Sequence, residues 1–390
     1  MVAPTEAELL SRAADLVPVL KERAGRTEEL RRIPDETVGD LLATELHGIG
    51  VPKRFGGLDV SYVVAMNIAA ELGRGCPSTA WCYGLWAAHA WLVGYWPLQA
   101  QQEVFGENPD TLLSSSLNVG KPILSGAGGA VCEPVKGGYR LSGRWEFSSG
   151  CDHAGWVMLG APNIGERNWA LVPRSDFEIV DTWYVSGLRG SGSKDIVTED
   201  TYIPYHRILD VNTAGNGDWT GWELHGQSRY RVPVGVLLGW DLVAPMAGIA
   251  QGMIDEFTAR LEGTSGPGRT ADSPAVHTRL AQASAETDAA LTVMRQDISE
   301  ILRKGKAGEP FTPLERARFR RDKAFTVQLC QQAVNRIFDI SGGHGIFDST
   351  PLQRFHRDAQ AVAHRDGLVM DLGGRDYGRV ALGLPPEGPI

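Results

Sequence analysis

Ser341-Gly342-Gly343-His344-Gly345-Ile346-Phe347 is followed, beyond Asp348–Pro351, by Leu352-Gln353-Arg354-Phe355-His356-Arg357-Asp358-Ala359. Glycines at 342, 343 and 345 carry no Cβ, which lets the backbone come close to a ligand or a neighbouring chain. The segment after them reads as the start of a helix over Thr350–Leu372. Working outward toward the N-terminus, three more long helical segments precede it: Val232–Glu262, Ala275–Leu302 and Pro313–Ser341, joined at Gly263–Pro274 and Lys304–Pro310. Four such helices predict a bundle. The basic residues Arg316, Arg318, Arg320, Arg321 and Lys323 on the third read as a solvated helix face.

The texture upstream is different. Between Asp110 and Pro204, Tyr139, Leu141, Trp145 and Phe147 alternate with polar residues, the period of a half-buried strand. Short runs at Trp156–Ala161, Trp169–Pro173, Phe177–Trp183 and Ile196–Ile203, parted by Gly, Pro, Asn and Asp, predict further strands of antiparallel character. Before them the chain is helical again. Thr5 and Glu8 form a capping-box pair, with Leu9, Ala13, Leu16 and Leu20 on one face. Pro34 suits the first turn of a second helix carrying Val38, Leu41, Leu42 and Leu46 and ending at Gly48. Ser61 caps a third, and Pro77 opens a fourth, rich in aromatics. The expected organisation is therefore a helical domain over 1–109, a β domain over 110–215 and a helical bundle over 216–390.

A formal charge of −9 and a pI near 5.5 leave no basic stripe for nucleic acid. The cysteines Cys76, Cys82, Cys132, Cys151 and Cys330 are odd in number and form no C-x-x-C pair, which argues against a disulfide framework or a zinc knuckle. No signal-like segment is seen at the N-terminus, and no apolar run reads as membrane-spanning; a cytoplasmic protein without membrane contact is expected. His356 and His364 would sit roughly 12 Å apart along a helix, too far to share a metal ion. No G-x-G-x-x-G follows a strand and no P-loop, H-E-x-x-H or G-x-S-x-G occurs, so the chain shows no nicotinamide site of its own.

The α–β–α order and three segments resemble the acyl-CoA dehydrogenase superfamily over nearly the whole chain. One is the loop and R-D-A helix quoted above. Another, Leu141-Ser142-Gly143-Arg144-Trp145-Glu146-Phe147-Ser148-Ser149-Gly150, is similar to the family's flavin-contacting strand, in which Ser149 occupies a Thr/Ser position that hydrogen-bonds the flavin N5 region. The last, Gly187-Leu188-Arg189-Gly190-Ser191-Gly192-Ser193, is similar to the family's flavin-adjacent R-G-S turn. The resemblance implies an α+β, acyl-CoA dehydrogenase-like fold: an N-terminal helical domain, a central antiparallel β domain and a C-terminal four-helix bundle. It also implies flavin contacts from Ser149, Phe147, Arg189, Ser191, Ser193, Gly342, Gly343 and Gly345, and a homotetramer whose neighbouring subunit reaches the flavin tail.

Within the family, dehydrogenases carry a glutamate base shortly after R-D-A. Here the stretch reads Ala363-His364-Arg365-Asp366-Gly367, without a glutamate, and Ser114-Ser115-Ser116-Leu117-Asn118-Val119-Gly120 replaces an acidic acyl-CoA segment. The oxygenase branch, which includes the oxygenase component of 4-hydroxyphenylacetate hydroxylase and dibenzothiophene monooxygenase, fits better. It resembles this chain in Ser149-Gly150-Cys151-Asp152-His153-Ala154, in a helix from Ser78 to His89, and in a histidine after the R-D pair, here His364, six residues after Asp358. His356, where relatives have Trp, and His277, where they have Gln, depart from it. The resemblance implies the oxygenase component of a two-component monooxygenase. Reduced flavin, FMNH2 in preference to FADH2, comes from a separate flavin reductase, and a small aromatic molecule is hydroxylated through a C4a-hydroperoxyflavin. The alternatives are an acyl-CoA dehydrogenase or oxidase with Asp366 as base, and N-oxygenation of an amine or amino sugar. The expected catalytic residues are His364, His89 and Ser149. Imidazole titrates near neutrality and suits proton transfer. Of the aromatics Trp81, Tyr83, Trp86, Trp91, Tyr95 and Trp96, most read as core.

Overall fold

The computed structural model describes residues 4–58, 60–119, 130–165, 167–262 and 270–388. The capping box of Thr5 and Glu8 closes the first turn of α1 (Glu6–Leu30), whose Leu9, Ala13, Leu16 and Leu20 are buried. Pro34 caps α2 (Asp35–Ala43). That helix stops short of Gly48 because Glu45 takes a left-handed conformation and the chain tightens into a 3-10 turn, Leu46–Ile49. Ser61 caps α3 (Tyr62–Gly73). Pro77 starts α4 (Pro77–Val93), which is buried almost all round; α5 (Leu98–Phe105) closes the N-terminal helices.

Two four-stranded sheets follow. One orders β1 (Leu113–Val119), β4 (Trp156–Ala161), β5 (Asn168–Pro173) and β8 (Ile208–Asp210); the other orders β2 (Val131–Val135), β3 (Gly138–Ser148), β7 (Lys194–Pro204) and β6 (Glu178–Val180). Leu141, Trp145, Val157, Leu159, Ala170 and Ile196 fill the space between them. The pairings are antiparallel except for β1 against β4, which is parallel. Phe147 does not continue the inward alternation of β3. The β3–β7 register shifts between Trp145 and Ser148, and Phe147 takes φ +67° with 54% of its surface exposed. A bulge of this kind re-aims one side chain out of the ladder.

The C-terminal half contains α6 (Thr220–His225), α7 (Val234–Leu237), α8 (Trp240–Glu262), α9 (Pro274–Ala307), α10 (Pro313–Asp339), α11 (Pro351–Ala363) and α12 (Met370–Ala381). Two segments that periodicity reads as continuous helices are broken. Val232–Glu262 breaks at Leu238-Gly239, where Gly239 adopts φ +102°. Thr350–Leu372 breaks between His364 and Val369. Both breaks face the cavity described below. Val234–Glu262 is, contrary to the sequence reading, long and apolar enough to cross a membrane by length and composition; it is mostly buried inside the bundle.

The basic run on α10 is not a solvated face. α10 is central, packed by α8, α9, α11 and α12, so its cations find partners: Arg318 pairs with Glu300, Arg320 with Asp376 and Arg321 with Asp322. Lys323 is buried and donates to the carbonyls of Gly235 (3.0 Å) and Leu238 (2.6 Å), which holds the chain at the Gly239 break. Asp297 is also buried. Burial and the neighbouring Asp322 carboxylate push its carboxyl up to about 7, and its Oδ2 has no hydrogen-bond partner among the described residues. A carboxyl raised in the folded state loses stability as pH climbs from the unfolded value, about 4, through about 7. Asp297→Asn, whose amide needs no ionisation, is therefore expected to be stabilising at pH 8, on the order of 1 kcal/mol, and near neutral at pH 4.5. Thermal unfolding at the two pH values checks this; equal effects at both would contradict it.

Candidate active site

Helix α4, strand β1, the β3 bulge, the turn before β7, the α7–α8 break and the end of α11 enclose a cavity of about 360 Å³. Each contributes its residue for a local reason. The run Ser114-Ser115-Ser116 lies in β1, where successive side chains point to opposite faces. Ser114 hydrogen-bonds Ser148 (2.9 Å) and Ser116 donates to the Glu146 carbonyl (2.6 Å), fastening β1 to β3. Ser115 points the other way, into the cavity, and meets His89 Nε2 at 2.8 Å.

His89 is 2% exposed, and burial pushes its imidazole down to about 4. Its Nδ1 lies 2.9 Å from the Leu113 carbonyl. A carbonyl only accepts, so Nδ1 carries the proton of the neutral ring. Nε2 then accepts the Ser115 proton, and the free lone pairs of the Ser115 oxygen are turned to a ligand. This pair is a fixed hydrogen-bond acceptor.

His364 has the opposite character. It caps α11 instead of lying within it; it is exposed and lines the cavity. Its Nδ1 donates to the Gln360 carbonyl at 2.7 Å, which leaves Nε2 as a lone pair without a protein partner among the described residues. One histidine is buried and doubly engaged; the other has one nitrogen available for proton transfer.

Ser149 sits where β3 ends. Its Oγ accepts from Trp81 Nε1 (3.0 Å) and meets Ser193 Oγ at 2.6 Å, which in turn meets Ser191 Oγ at 2.7 Å. Three hydroxyls in a row use two of their protons on one another. With the order Ser191 to Ser193 to Ser149, the third proton is presented by Ser149 to the cavity. Phe147 stands at the mouth against Trp183, ring centroids 6.1 Å apart in an edge-to-face arrangement. A left-handed phenylalanine is uncommon and strained, the kind of outlier that functional sites retain.

The turn that supplies Ser191 and Ser193 is held from α11. Asp358 accepts from the Leu188 N–H at 2.6 Å, and Arg357 donates to the Ser186 carbonyl and to Glu28. Gly187 passes so close to α11 that an added Cβ would lie 2.1 Å from the Arg357 carbonyl oxygen. The R-D pair thus fastens the bundle to the β domain. Burial pushes the Asp358 carboxyl up to about 7.

The structure brings together His89, His364, Ser149, Ser193 and Phe147 in one cavity. Ser191 stands behind Ser193. Arg189 lines a second cleft with Phe338, Ile346, His356 and Arg357, on the side of the 342–345 loop, where Gly342 and Gly343 are exposed and Gly345 is buried. Of the α4 aromatics only Trp81 lines the main cavity. His153 is engaged by the Ile33 carbonyl at 2.7 Å, and His356 stacks on Phe338 at 4.1 Å. The side chain of Asp366 lies outside the described residues, as does Gly120. Sequence reasoning missed Ser115, treated only as part of a replaced segment, and Asp241, which also lines the cavity.

Residues 6–104 match the acyl-CoA dehydrogenase N-terminal domain, and residues 241–367 match the acyl-CoA dehydrogenase C-terminal domain. Over 386 residues the chain is 34% identical to the flavin-dependent monooxygenase, oxygenase subunit HsaA, of Rhodococcus jostii (strain RHA1), covering 96% of this chain and 98% of that one. The chain belongs to the acyl-CoA dehydrogenase superfamily, among its flavin-dependent monooxygenases. It is the oxygenase component of a two-component system, and Asp366 as a dehydrogenase base is set aside. The oxygenase is also 33% identical to the FADH(2)-dependent resorcinol hydroxylase, oxygenase component, of Rhizobium sp. (strain MTP-10005), over 97% of this chain and 95% of that one. Its fold superposes on 3-HSA hydroxylase from Rhodococcus sp. RHA1 with a TM-score of 0.89 at 32% identity, covering 97% of both chains.

Proposed function

We propose that the oxygenase hydroxylates a phenol, with His364 as the base that takes the phenolic proton and Ser115, backed by His89, as the acceptor that orients the substrate. The observation that carries this reading is the pairing, in one cavity, of a histidine with an unpartnered Nε2 and a serine whose lone pairs are turned inward by a buried neutral histidine. A phenol has one hydroxyl proton: Ser115 accepts it in a hydrogen bond as the ring docks, and His364 takes that same proton as the ring is oxygenated. Both relatives named above are monooxygenase components, and one is named for a dihydroxybenzene.

The residues present fit a flavin. Ser149 offers a hydroxyl proton at the cavity wall, Phe147 and Trp183 flank the mouth with aromatic surface, and Ser193 and Ser191 supply the relay behind. Bound reduced flavin supplies the activation of O2 for transfer of one oxygen atom. The protein's part is to exclude water with Trp81, Leu85 and Leu242, to orient the ring and to move the proton. Arg189 and the Gly342, Gly343 and Gly345 loop would meet the flavin tail along the second cleft. The family resemblance favours FMNH2, whereas the relative named as an FADH(2)-dependent resorcinol hydroxylase favours FADH2. A separate flavin reductase supplies either. The exposed Ile346 (69%) and Phe347 (56%) beside that loop support a homotetramer, for which light scattering at micromolar concentration is expected to give four times the chain mass; a stable monomer would contradict it.

Oxygenation under labelled dioxygen tests the reading. A phenol should acquire one labelled oxygen on its ring; label from water instead, or no ring product from any phenol, would overturn it. Ser149→Ala removes the hydroxyl proton offered to the flavin, worth about 0.5–1.5 kcal/mol, and also the bonds to Trp81 Nε1 and Ser193 Oγ. It is expected to raise hydrogen peroxide released per flavin oxidised severalfold, with a moderate fall in melting temperature from the orphaned buried groups, which cost about 1–3 kcal/mol. A large fall in melting temperature with unchanged coupling would make Ser149 structural.

A further inference from the structure

We propose that Asp241 reads a second hydrogen-bond donor on the substrate, so that the oxygenase takes a dihydroxylated aromatic ring in preference to a simple phenol. The proposal rests on the phenol-hydroxylase reading above and adds to it a specificity residue and a substrate class.

Asp241 lies in the first turn of α8, beside the Gly239 break, and is 1% exposed. One oxygen, Oδ1, accepts from the Gly239 N–H at 2.7 Å. The carboxylate is also held by the backbone N–H of Asp241 itself; it takes no hydrogen bond from another side chain among the described residues, and it lines the cavity. An ionised carboxylate has about four lone-pair sites, so two backbone N–H groups leave it able to accept a donor from inside the cavity.

Nearby cations do not fill that role. The Lys323 ammonium is occupied by the carbonyls of Gly235 and Leu238, and Arg365, also at the cavity, makes no ion pair within 4 Å with Asp241 among the described residues. Both still act on Asp241 through space and oppose the burial that pushes its carboxyl up to about 6, so the group is mainly ionised at neutral pH. The surrounding backbone is rigid. Lys323 fixes the turn before Asp241, and Gly84 of α4 packs so tightly that an added Cβ would stand 2.4 Å from the Asp241 carbonyl oxygen. A fixed carboxylate oxygen then favours a neutral O–H or N–H donor and disfavours an ether or an anion at that end of the ring. Ser115 engages the first hydroxyl; Asp241 engages the second.

The probes are catechol, resorcinol and hydroquinone, each beside its monomethyl ether, which keeps the first hydroxyl and loses the second donor. Binding is measured by anaerobic calorimetry on the reduced-flavin-loaded oxygenase. At least one diol is expected to bind about 10- to 100-fold more tightly than its ether, the range for a hydrogen bond to a charged group. In Asp241→Ala that gap should shrink to within about threefold, and Asp241→Asn, which keeps an acceptor oxygen and can still cap the Gly239 N–H, should restore part of it. Absence of any diol–ether gap in the unmodified protein, or a gap unchanged in Asp241→Ala, would overturn the proposal. Oxygenation of the same probes is scored separately. Failure to hydroxylate any of them defeats the phenol-hydroxylase reading, whereas hydroxylation of diol and ether alike with equal affinity defeats only the role of Asp241.

Discussion

His364→Ala is expected to cut hydroxylated product per flavin oxidised by about 10²–10⁴, the usual worth of a positioned acid or base, while leaving reduced-flavin affinity near that of the unmodified protein. The side chain is exposed and donates one hydrogen bond, to the Gln360 carbonyl at the helix end, so its removal should change stability by no more than about 0.5 kcal/mol. Oxidation of the flavin continues, because nothing in the Ser149 relay touches His364, and the oxygen not transferred should be found as hydrogen peroxide. Rapid mixing of the reduced complex with oxygen, with product and peroxide both counted, separates this from a binding defect. Near-normal coupling in His364→Ala would remove it from the proton-transfer role.

The second large effect is expected at the Ser115–His89 pair, and it should divide in a characteristic way. Ser115→Ala removes the acceptor offered to the substrate and is expected to raise KM about 10- to 100-fold, as for a hydrogen bond of roughly 1.5–3 kcal/mol, with little change in melting temperature. His89→Ala should raise KM similarly and also destabilise the fold. It empties space among α4 side chains and leaves the Leu113 carbonyl and the Ser115 proton without partners, a penalty of about 1–3 kcal/mol for an unsatisfied buried group. The pH signature differs too. Because folding lowers the His89 pKa to about 4, its neutral form contributes stability that is complete above the unfolded value, about 6.5, and is lost as pH falls toward 4. His89→Ala should therefore be less acid-sensitive between pH 6.5 and 4 than the unmodified protein. Kinetics and thermal unfolding across that window decide it: a normal KM in Ser115→Ala, or an unchanged acid slope in His89→Ala, would mean the pair is not the anchor described.

How far these features could be read from the chain depends on what each residue's chemistry writes into its neighbours. The α–β–α order was legible because apolar spacing and caps are strong signals: Thr5 with Glu8, Ser61 and Pro77 all mark helix starts that the structure contains. His364 was legible through its place after Arg357-Asp358-Ala359, and Ser149 through its place after the β3 aromatics. Strand β1 was not, because Leu113-Ser114-Ser115-Ser116 shows no apolar alternation; its faces are distinguished only by which serine finds which partner. The bulge that throws Phe147 outward is equally silent, since its sequence continues the alternation that the backbone then breaks. The two helix breaks at Gly239 and His364 are hidden for a related reason. Each lies inside a stretch whose apolar period is unbroken, and the interruption is set by tertiary contacts, such as the hold of Lys323 on the Leu238 carbonyl. Asp241 is invisible without that break, because an acid in the first turn of a helix ordinarily needs no further explanation.

As a two-component oxygenase, this chain is expected to take reduced flavin made elsewhere and to use it to oxygenate a phenol. The most direct measurement mixes the protein, loaded anaerobically with chemically reduced FAD or FMN, with oxygen and resorcinol in the complete absence of NADH, NADPH and reductase. One turnover should yield hydroxylated product approaching one per flavin oxidised, and the pure chain alone should not oxidise NADH. Absence of product with prompt flavin oxidation, or direct NADH oxidation by the isolated chain, would contradict the account.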